Sequence, residues 1–209
     1  MKHLDLPQHS AEWFKARAGI PTASCADRIV TPKTLRPSAQ ADKYRHQLLA
    51  EWLLGTPFEI ETKVWQMDRG LELEEEAISY FELTTGQTTQ TCGLCLTDDG
   101  AVGASPDRFV GDEALLEIKC PLAPTHVGYL LADELPIEYL LQTQMQLYVT
   151  QRQCVWFLSY YPSLPPLLLR IEPEPVYQNA LATALAEFCL RLEDGKRRLL
   201  ERAGGTKAV

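Results

Sequence analysis

Ala101-Val102-Gly103-Ala104-Ser105-Pro106-Asp107-Arg108-Phe109-Val110, then a Gly111-Asp112-Glu113 turn, then Ala114-Leu115-Leu116-Glu117-Ile118-Lys119-Cys120 is the stretch that decides the fold. Both apolar segments read as strands of a meander, which Pro121 closes. Successive side chains of a strand point to opposite faces, so Glu117 and Lys119 share one face and Ile118 points away. A Glu and a Lys inside so apolar a run are costly unless each has a partner or a task. With Asp107 on the neighbouring segment, two carboxylates and an ammonium make a hard-metal site with a water-orienting cation.

Upstream, Thr91-Cys92-Gly93-Leu94-Cys95-Leu96 belongs to a β-type run from Thr88, followed by the turn signal Asp98-Asp99-Gly100. Downstream, helices are expected over 124–134 and over Ile137 to Val149. The second carries Gln142, Gln144, Gln146 and Tyr148. Gln142 and Gln146 stand one turn apart, as do Gln144 and Tyr148, so the two pairs occupy neighbouring faces, or simply a polar helix side. Cys154 to Tyr161 is strongly β-type, Leu167 to Ile171 is a further strand, and Glu174 to Arg202 makes a long terminal helix.

Toward the N-terminus, Ser10 to Arg17 reads as a short helix with Ser10 as N-cap and Gly19 as its stop. A second short helix over Cys25 to Val30 would be capped by Thr22 or Ser24. Hydroxyls and an arginine at a helix N-terminus suit a phosphate, although an ordinary capped helix with a surface arginine is the plainer reading of that segment alone. Thr31 to Ala41 reads as a mobile basic loop, and residues 42–54 as an amphipathic helix closed by Gly55-Thr56-Pro57. In the helix from Val64 to Leu83, Met67, Leu71, Ala77, Ile78 and Phe81 form a core stripe. Glu74 falls on that stripe, and Gly70 would allow close packing there.

The totals restrict the classes. At 209 residues, 45% hydrophobic and 23% charged, the chain fits a single globular domain over 1–209 and not a disordered or fibrous one. No apolar run is long enough to cross a membrane and Met1 to Asp5 is unlike a signal peptide, so a cytoplasmic protein is expected. The six cysteines then read as reduced thiols. Cys92 and Cys95 lack the second ligand pair of a zinc site, and strand alternation would put their sulfurs on opposite faces. The net charge of −8 is uneven: residues 1–50 hold eight basic against four acidic residues, +4, which leaves −12 for the rest.

An acidic residue followed by Glu-x-Lys on adjacent strands resembles the PD-(D/E)XK nuclease motif. Its flanks narrow the resemblance. Trp13, Arg17, Gly19-Ile20, Thr22-Ala23-Ser24, Gly70 with Glu74, Ser105-Pro106-Asp107, Leu116-Glu117-Ile118-Lys119-Cys120-Pro121 and Gln142-x-Gln144 occur in the order seen in the lambda exonuclease (YqaJ viral recombinase) family of phage enzymes. The resemblance runs from Trp13 to Tyr161. It implies an α/β (α+β) fold, a central mixed β-sheet flanked by helices. It divides the domain into an N-terminal helical, 5′-phosphate and DNA-binding part over 10–60, a catalytic core over 64–161, and a C-terminal strand and helix over 165–203.

The resemblance also implies Mg²⁺-dependent 5′→3′ digestion of one strand of linear double-stranded DNA to mononucleotides, leaving 3′ overhangs for recombination by annealing. Asp107, Glu117 and the Ile118 backbone carbonyl would ligate Mg²⁺, with Glu74 reaching a second ion through water; Mn²⁺ would substitute. Lys119 would orient and help deprotonate the attacking water, working chiefly by orientation and electrostatics if the carboxylates keep it charged. Gln142 and Gln144 match the glutamine motif, and Arg17, Ser24 and Thr22 the 5′-phosphate receptor. The implied assembly is a ring-shaped homotrimer working beside a phage single-strand annealing protein in the bacterial cytoplasm.

Two departures stand out: Arg108 follows Asp107 where the family often has Gly, and the basic loop at Lys33 and Arg36 does not align. Competing readings are another nuclease of the same superfamily, an endonuclease or a Cas4-like exonuclease, and a non-catalytic DNA-end-binding protein. The wide spacing of Cys154 and Cys189 disfavours the iron–sulfur members. Intact Asp107, Glu117 and Lys119 disfavour a relic site.

Overall fold

A computed structural model describes residues 1–58 and 64–204, the backbone alone over 64–72. The side chains of Met67 and Leu71, two of the five residues of the stripe expected in the 64–83 helix, and the packing at Gly70 lie outside the described residues.

Eight strands form two sheets. β1 (Lys2–Leu4), β3 (Leu94–Leu96) and β4 (Gly103–Ala104) make a small antiparallel sheet in the order β1-β3-β4. β2 (Thr89–Thr91), β5 (Arg108–Val110), β6 (Ala114–Lys119), β7 (Cys154–Ser159) and β8 (Leu167–Ile171) make the larger mixed sheet in the order β2-β5-β6-β7-β8. The β6–β7 pair is parallel and the other pairs are antiparallel. A parallel neighbour needs a long crossover. Helices α4 (Ala123–Ala132) and α5 (Ile137–Thr150) supply it.

The two long β runs expected over Thr88 to Leu96 and Ala101 to Val110 each break and change sheet midway. One breaks at Cys92-Gly93, the other at Ser105-Pro106-Asp107. Pro106 has no N–H for a ladder. At Gly93 a Cβ would lie 2.3 Å from the Leu4 carbonyl oxygen and 2.6 Å from the Leu6 nitrogen, so only glycine lets the N-terminal segment cross there. Strand β1 itself has no sequence signature, because all three of its residues are exposed. The bend also brings the Cys92 and Cys95 sulfurs to 3.6 Å, correcting the expectation of opposite faces, which assumed an unbroken strand.

Helices cover both faces of the larger sheet. On one side α3 (Val64–Thr85) packs Ala77 and Phe81 against Ala114, Leu116 and Ile118. On the other, α5 with α2 (Ala41–Leu54) and α6 (Pro175–Arg202) closes the main core over Leu115 and Val155. Alternation along β6 therefore turns Glu117 and Lys119 to the side of Leu115, toward α5.

Near the N-terminus, α1 (Ala11–Arg17) starts at Ser10, whose hydroxyl accepts from the Trp13 N–H at 3.2 Å. Gly19 ends the segment at φ +76°, where a Cβ would lie 2.6 Å from Cβ of Trp52. The second short helix is a kinked 3₁₀ segment, Ala23–Arg28, and Thr22 does not cap it through its side chain. The Thr31 to Ala41 loop is pinned, not mobile: Thr31 N–H donates to the Arg36 carbonyl at 2.9 Å and Val30 bridges Pro37. Among the described residues no helix is long and apolar enough to cross a membrane.

Candidate active site

Strand β5 stops pairing with β6 at Arg108–Leu116, which leaves the last half of β6 without a strand neighbour on that side. Asp107 fills the position. Its Oδ2 accepts the Ile118 N–H at 2.5 Å. The N–H and C=O of a β residue point to the same side, so the Ile118 carbonyl faces the same gap beside Asp107. The opposite edge of β6 is occupied, since the Lys119 carbonyl accepts from Tyr160 N–H at 2.8 Å.

Glu117 is 1% exposed, and both of its oxygens accept hydrogen bonds. Its Oε1 accepts from Lys119 Nζ at 2.5 Å and from Gln142 Nε2 at 2.5 Å, and its Oε2 accepts from Gln146 Nε2 at 2.5 Å. Lys119 also lies 5.3 Å from the ring centre of Tyr139. Positions 139, 142 and 146 are spaced by three and four, so one face of α5 supplies all three contacts.

The electrostatics identify a site short of positive charge. Burial pushes the Asp107 carboxyl well above its usual range, and the negative charges of Glu117 and Glu74 push it further than Lys119 and the Ile118 N–H can pull it back. Burial also raises Glu74, on α3; Arg108 opposes this and Glu117 reinforces it. For Lys119 burial favours the neutral amine, but the carboxylates of Glu117 and Asp107 outweigh it and raise the ammonium above its ordinary value. Three carboxyls thus share one nearby lysine and the partly exposed Arg108.

Such a donor set fits a hard divalent cation. Among the described residues no three acidic, His or Cys side chains converge into a ready-made metal cage. Mg²⁺ does not require one, because it keeps several waters and is held by one or two carboxylates plus substrate phosphate. Asp107, the Ile118 carbonyl and Glu117 would hold it. On Glu117, Oε1 already accepts two hydrogen bonds and Oε2 one, so Oε2 keeps a lone pair.

The structure separates the two glutamines of the motif. Gln142 reaches Glu117, whereas Gln144 faces away and ties α5 to the start of α6. Its Nε2 donates to the Glu172 carbonyl at 2.8 Å, and its Oε1 accepts from Glu174 N–H and Gln178 Nε2, both at 2.9 Å. Two residues of α-helix turn through about 200°, so neighbours at that spacing cannot both face one carboxylate. The partner of Gln142 is Gln146, which the glutamine motif does not include, although its one-turn spacing is visible in the sequence.

A second cluster forms around Arg17. Its guanidinium lies 4.1 Å over the Trp13 ring, with Nη1 donating to Ser105 Oγ at 3.2 Å and Nη2 to Thr22 Oγ1 at 3.4 Å. Thr22 Oγ1 is 3.4 Å from Ser24 Oγ, and Trp13 Nε1 also donates to Ser105 Oγ at 3.2 Å. Arg17, Thr22 and Ser24 therefore meet, and their meeting point includes Ser105, which the sequence offers only as part of the Asp107 motif. Three hydroxyls around one guanidinium are donors of the kind an anion would need. Ser105 lies two residues from Asp107, which limits their Cα separation to about 7 Å.

The sequence matches the YqaJ-like viral recombinase domain over residues 12–153. Among solved structures the chain is similar to an alkaline exonuclease (LHK-Exo) from Laribacter hongkongensis, at 34% identity and a TM-score of 0.82, covering 93% of this chain and 98% of that one. The same similarity holds for LHK-Exo in complex with dAMP. A phage-related exonuclease from Haemophilus somnus 129PT shares the fold, at 14% identity and a TM-score of 0.64, covering 88% of this chain and 96% of that one. A comparison with curated proteins gives no match. The mixed five-stranded sheet with helices on both faces is the fold of these exonucleases, and the chain belongs to the YqaJ-like viral recombinase family.

Proposed function

We propose that the chain is a Mg²⁺-dependent exonuclease that removes nucleotides 5′→3′ from one strand of linear double-stranded DNA. The supporting observation is the short link between the two clusters. Ser105 belongs to the Arg17 anion receptor, and two residues later Asp107 stands beside Glu117 and Lys119. A 5′-terminal phosphate held by Arg17, Thr22 and Ser24 places the next phosphodiester about one nucleotide step along, at the carboxylates. Phosphate contacts position a strand without reading bases, which suits digestion without sequence preference.

Water attacks that phosphorus, the P–O3′ bond breaks, and the 3′ oxygen leaves with a proton from solvent. The products are a 5′-mononucleotide and a strand with a fresh 5′ phosphate for the Arg17 receptor. A relative that crystallises with dAMP, a nucleoside monophosphate, is consistent with such a product. Lys119 orients the water and offsets developing negative charge. The neighbouring carboxylates favour its ammonium form, so it acts chiefly as a donor. A bound Mg²⁺ would act as Lewis acid on the phosphoryl oxygens and lower the pKa of water. Glu74 would serve a second ion through water, with Mn²⁺ able to replace Mg²⁺, and Gln142 steadies Glu117.

As part of the same reading, the enzyme acts as a homotrimeric ring and hands its 3′ overhangs to a single-strand annealing protein. The deciding experiment digests end-labelled linear duplex and closed circular duplex with and without Mg²⁺. Loss of the 5′ label as mononucleotide, with the circle intact and no reaction in chelator, is expected. Cutting of the circle, or release of the 3′ label first, overturns the proposal. Light scattering at a mass other than three chains removes the ring.

A further inference from the structure

Gln146 is 1% exposed, and its Oε1 is buried with no hydrogen-bond partner among the described residues. An orphaned buried acceptor loses its hydration with nothing in return. An apolar side chain of similar length would remove that orphan but would also leave the buried Glu117 Oε2 without this donor, so the amide acts through Glu117. The other end of the amide has a definite task. Gln146 Nε2 donates to Glu117 Oε2 at 2.5 Å, on the oxygen that Gln142 and Lys119 leave untouched.

We propose that Gln146 is a positioning residue for the reaction. With Gln142 one turn before it on α5, it clamps both oxygens of Glu117 and holds that carboxylate in a single orientation for the divalent cation. The terminal torsion of a Glu side chain is broad, so a carboxylate held at one oxygen samples many orientations. Held at both oxygens, from residues on one rigid helix face, it does not. The two amides present donors to an acceptor-only carboxylate, and Oε2 retains one lone pair for the ion. Partners that orient ligating groups change metal affinity or activity by about 10–100-fold when removed. The inference rests on the nuclease reading, because it assigns Glu117 to the cation.

The test is Gln146→Met, with Gln146→Leu as a second variant should the first fold poorly. Metal binding is read without DNA, as Mn²⁺ affinity by electron paramagnetic resonance. Digestion of linear duplex is read as kcat at saturating Mg²⁺ and KM for DNA, and Tm is recorded in chelator. Expected is at most a modest fall in Tm, since the orphan acceptor leaves with the amide while Glu117 Oε2 loses a donor. Mn²⁺ affinity should weaken about tenfold and kcat fall about 10- to 100-fold, with KM for DNA unchanged. Wild-type Mn²⁺ affinity and kcat in a folded variant overturn the clamp while leaving the nuclease reading intact. A loss of activity that disappears when digestion is assayed well below the variant's Tm also overturns it. If the wild type itself digests nothing with Mg²⁺, the nuclease reading fails, and unchanged Mn²⁺ affinity in the variant then overturns the clamp as well.

Discussion

Arg17 donates a hydrogen bond at 3.2 Å to the hydroxyl of Ser105, and this contact joins the N-terminal helix to the segment that carries Asp107. The Arg17 cluster and the carboxylates are therefore parts of one frame. Under the proposed function, a terminal phosphate seated on Arg17 would have a fixed relation to the point of attack, which is how orientation lowers a barrier.

This connection gives the first prediction. Linear duplex with a 5′ phosphate should be digested faster than the same duplex with a 5′ hydroxyl, and Arg17→Ala should remove the difference by slowing only the phosphorylated substrate. Ser105→Ala should act in the same direction but less, because Arg17 keeps Thr22. A charge-assisted contact of this kind is worth about 1.5–3 kcal/mol, so the preference should be on the order of tenfold or more. Equal initial rates on the two substrates for the wild type would remove the phosphate receptor.

A second prediction separates Gln144 from its neighbours. The Gln144 amide serves the Glu172 carbonyl, the Glu174 N–H and Gln178, all on or next to the start of α6. Gln144→Met takes from those groups their partner in a part-buried place. It should cost about 2 kcal/mol and lower Tm by roughly 4–8 °C for a chain of this size. The kcat of the folded fraction should stay near wild type. Gln142→Met should do the reverse, sparing Tm and reducing kcat. A Gln144 variant with intact Tm and lost turnover would return Gln144 to the site.

The contrast between these glutamines shows what local spacing can reveal and what it cannot. Helix periodicity alone makes the Gln142–Gln146 face visible, and strand alternation alone puts Glu117 and Lys119 on one face. β7 and β8, the terminal helix and the Ser10 cap are equally local and equally legible. The sheet change at Gly93 and Pro106 is not, because it depends on the N-terminal strand, whose three exposed residues carry no pattern. The sulfur pair of Cys92 and Cys95 escapes strand alternation for the same reason. Ser105 enters the anion receptor only when residues about ninety apart are brought together. Contacts of that range leave no periodicity to read.

The last prediction concerns the cost of keeping Asp107 charged. Burial and the charges of Glu117 and Glu74 hold its pKa well above that of an ordinary Asp. A carboxyl raised in the folded state stabilises the fold fully only below its unfolded pKa of about 3.9, and that contribution is lost as pH rises through the folded pKa. In chelator, at neutral pH, the raised Asp107 pKa therefore weighs against the fold. Asp107→Asn removes the charge and keeps an oxygen for the Ile118 N–H. It should raise stability at neutral pH by about 1 kcal/mol, lose that advantage in mild acid, and abolish Mg²⁺-dependent digestion while DNA binding persists. Thermal melts across pH in chelator, run beside a DNA-binding assay, measure each part. A variant less stable than the wild type at neutral pH would show that the Asp107 charge is compensated within the protein, and a variant that still digests DNA would remove Asp107 from the reaction.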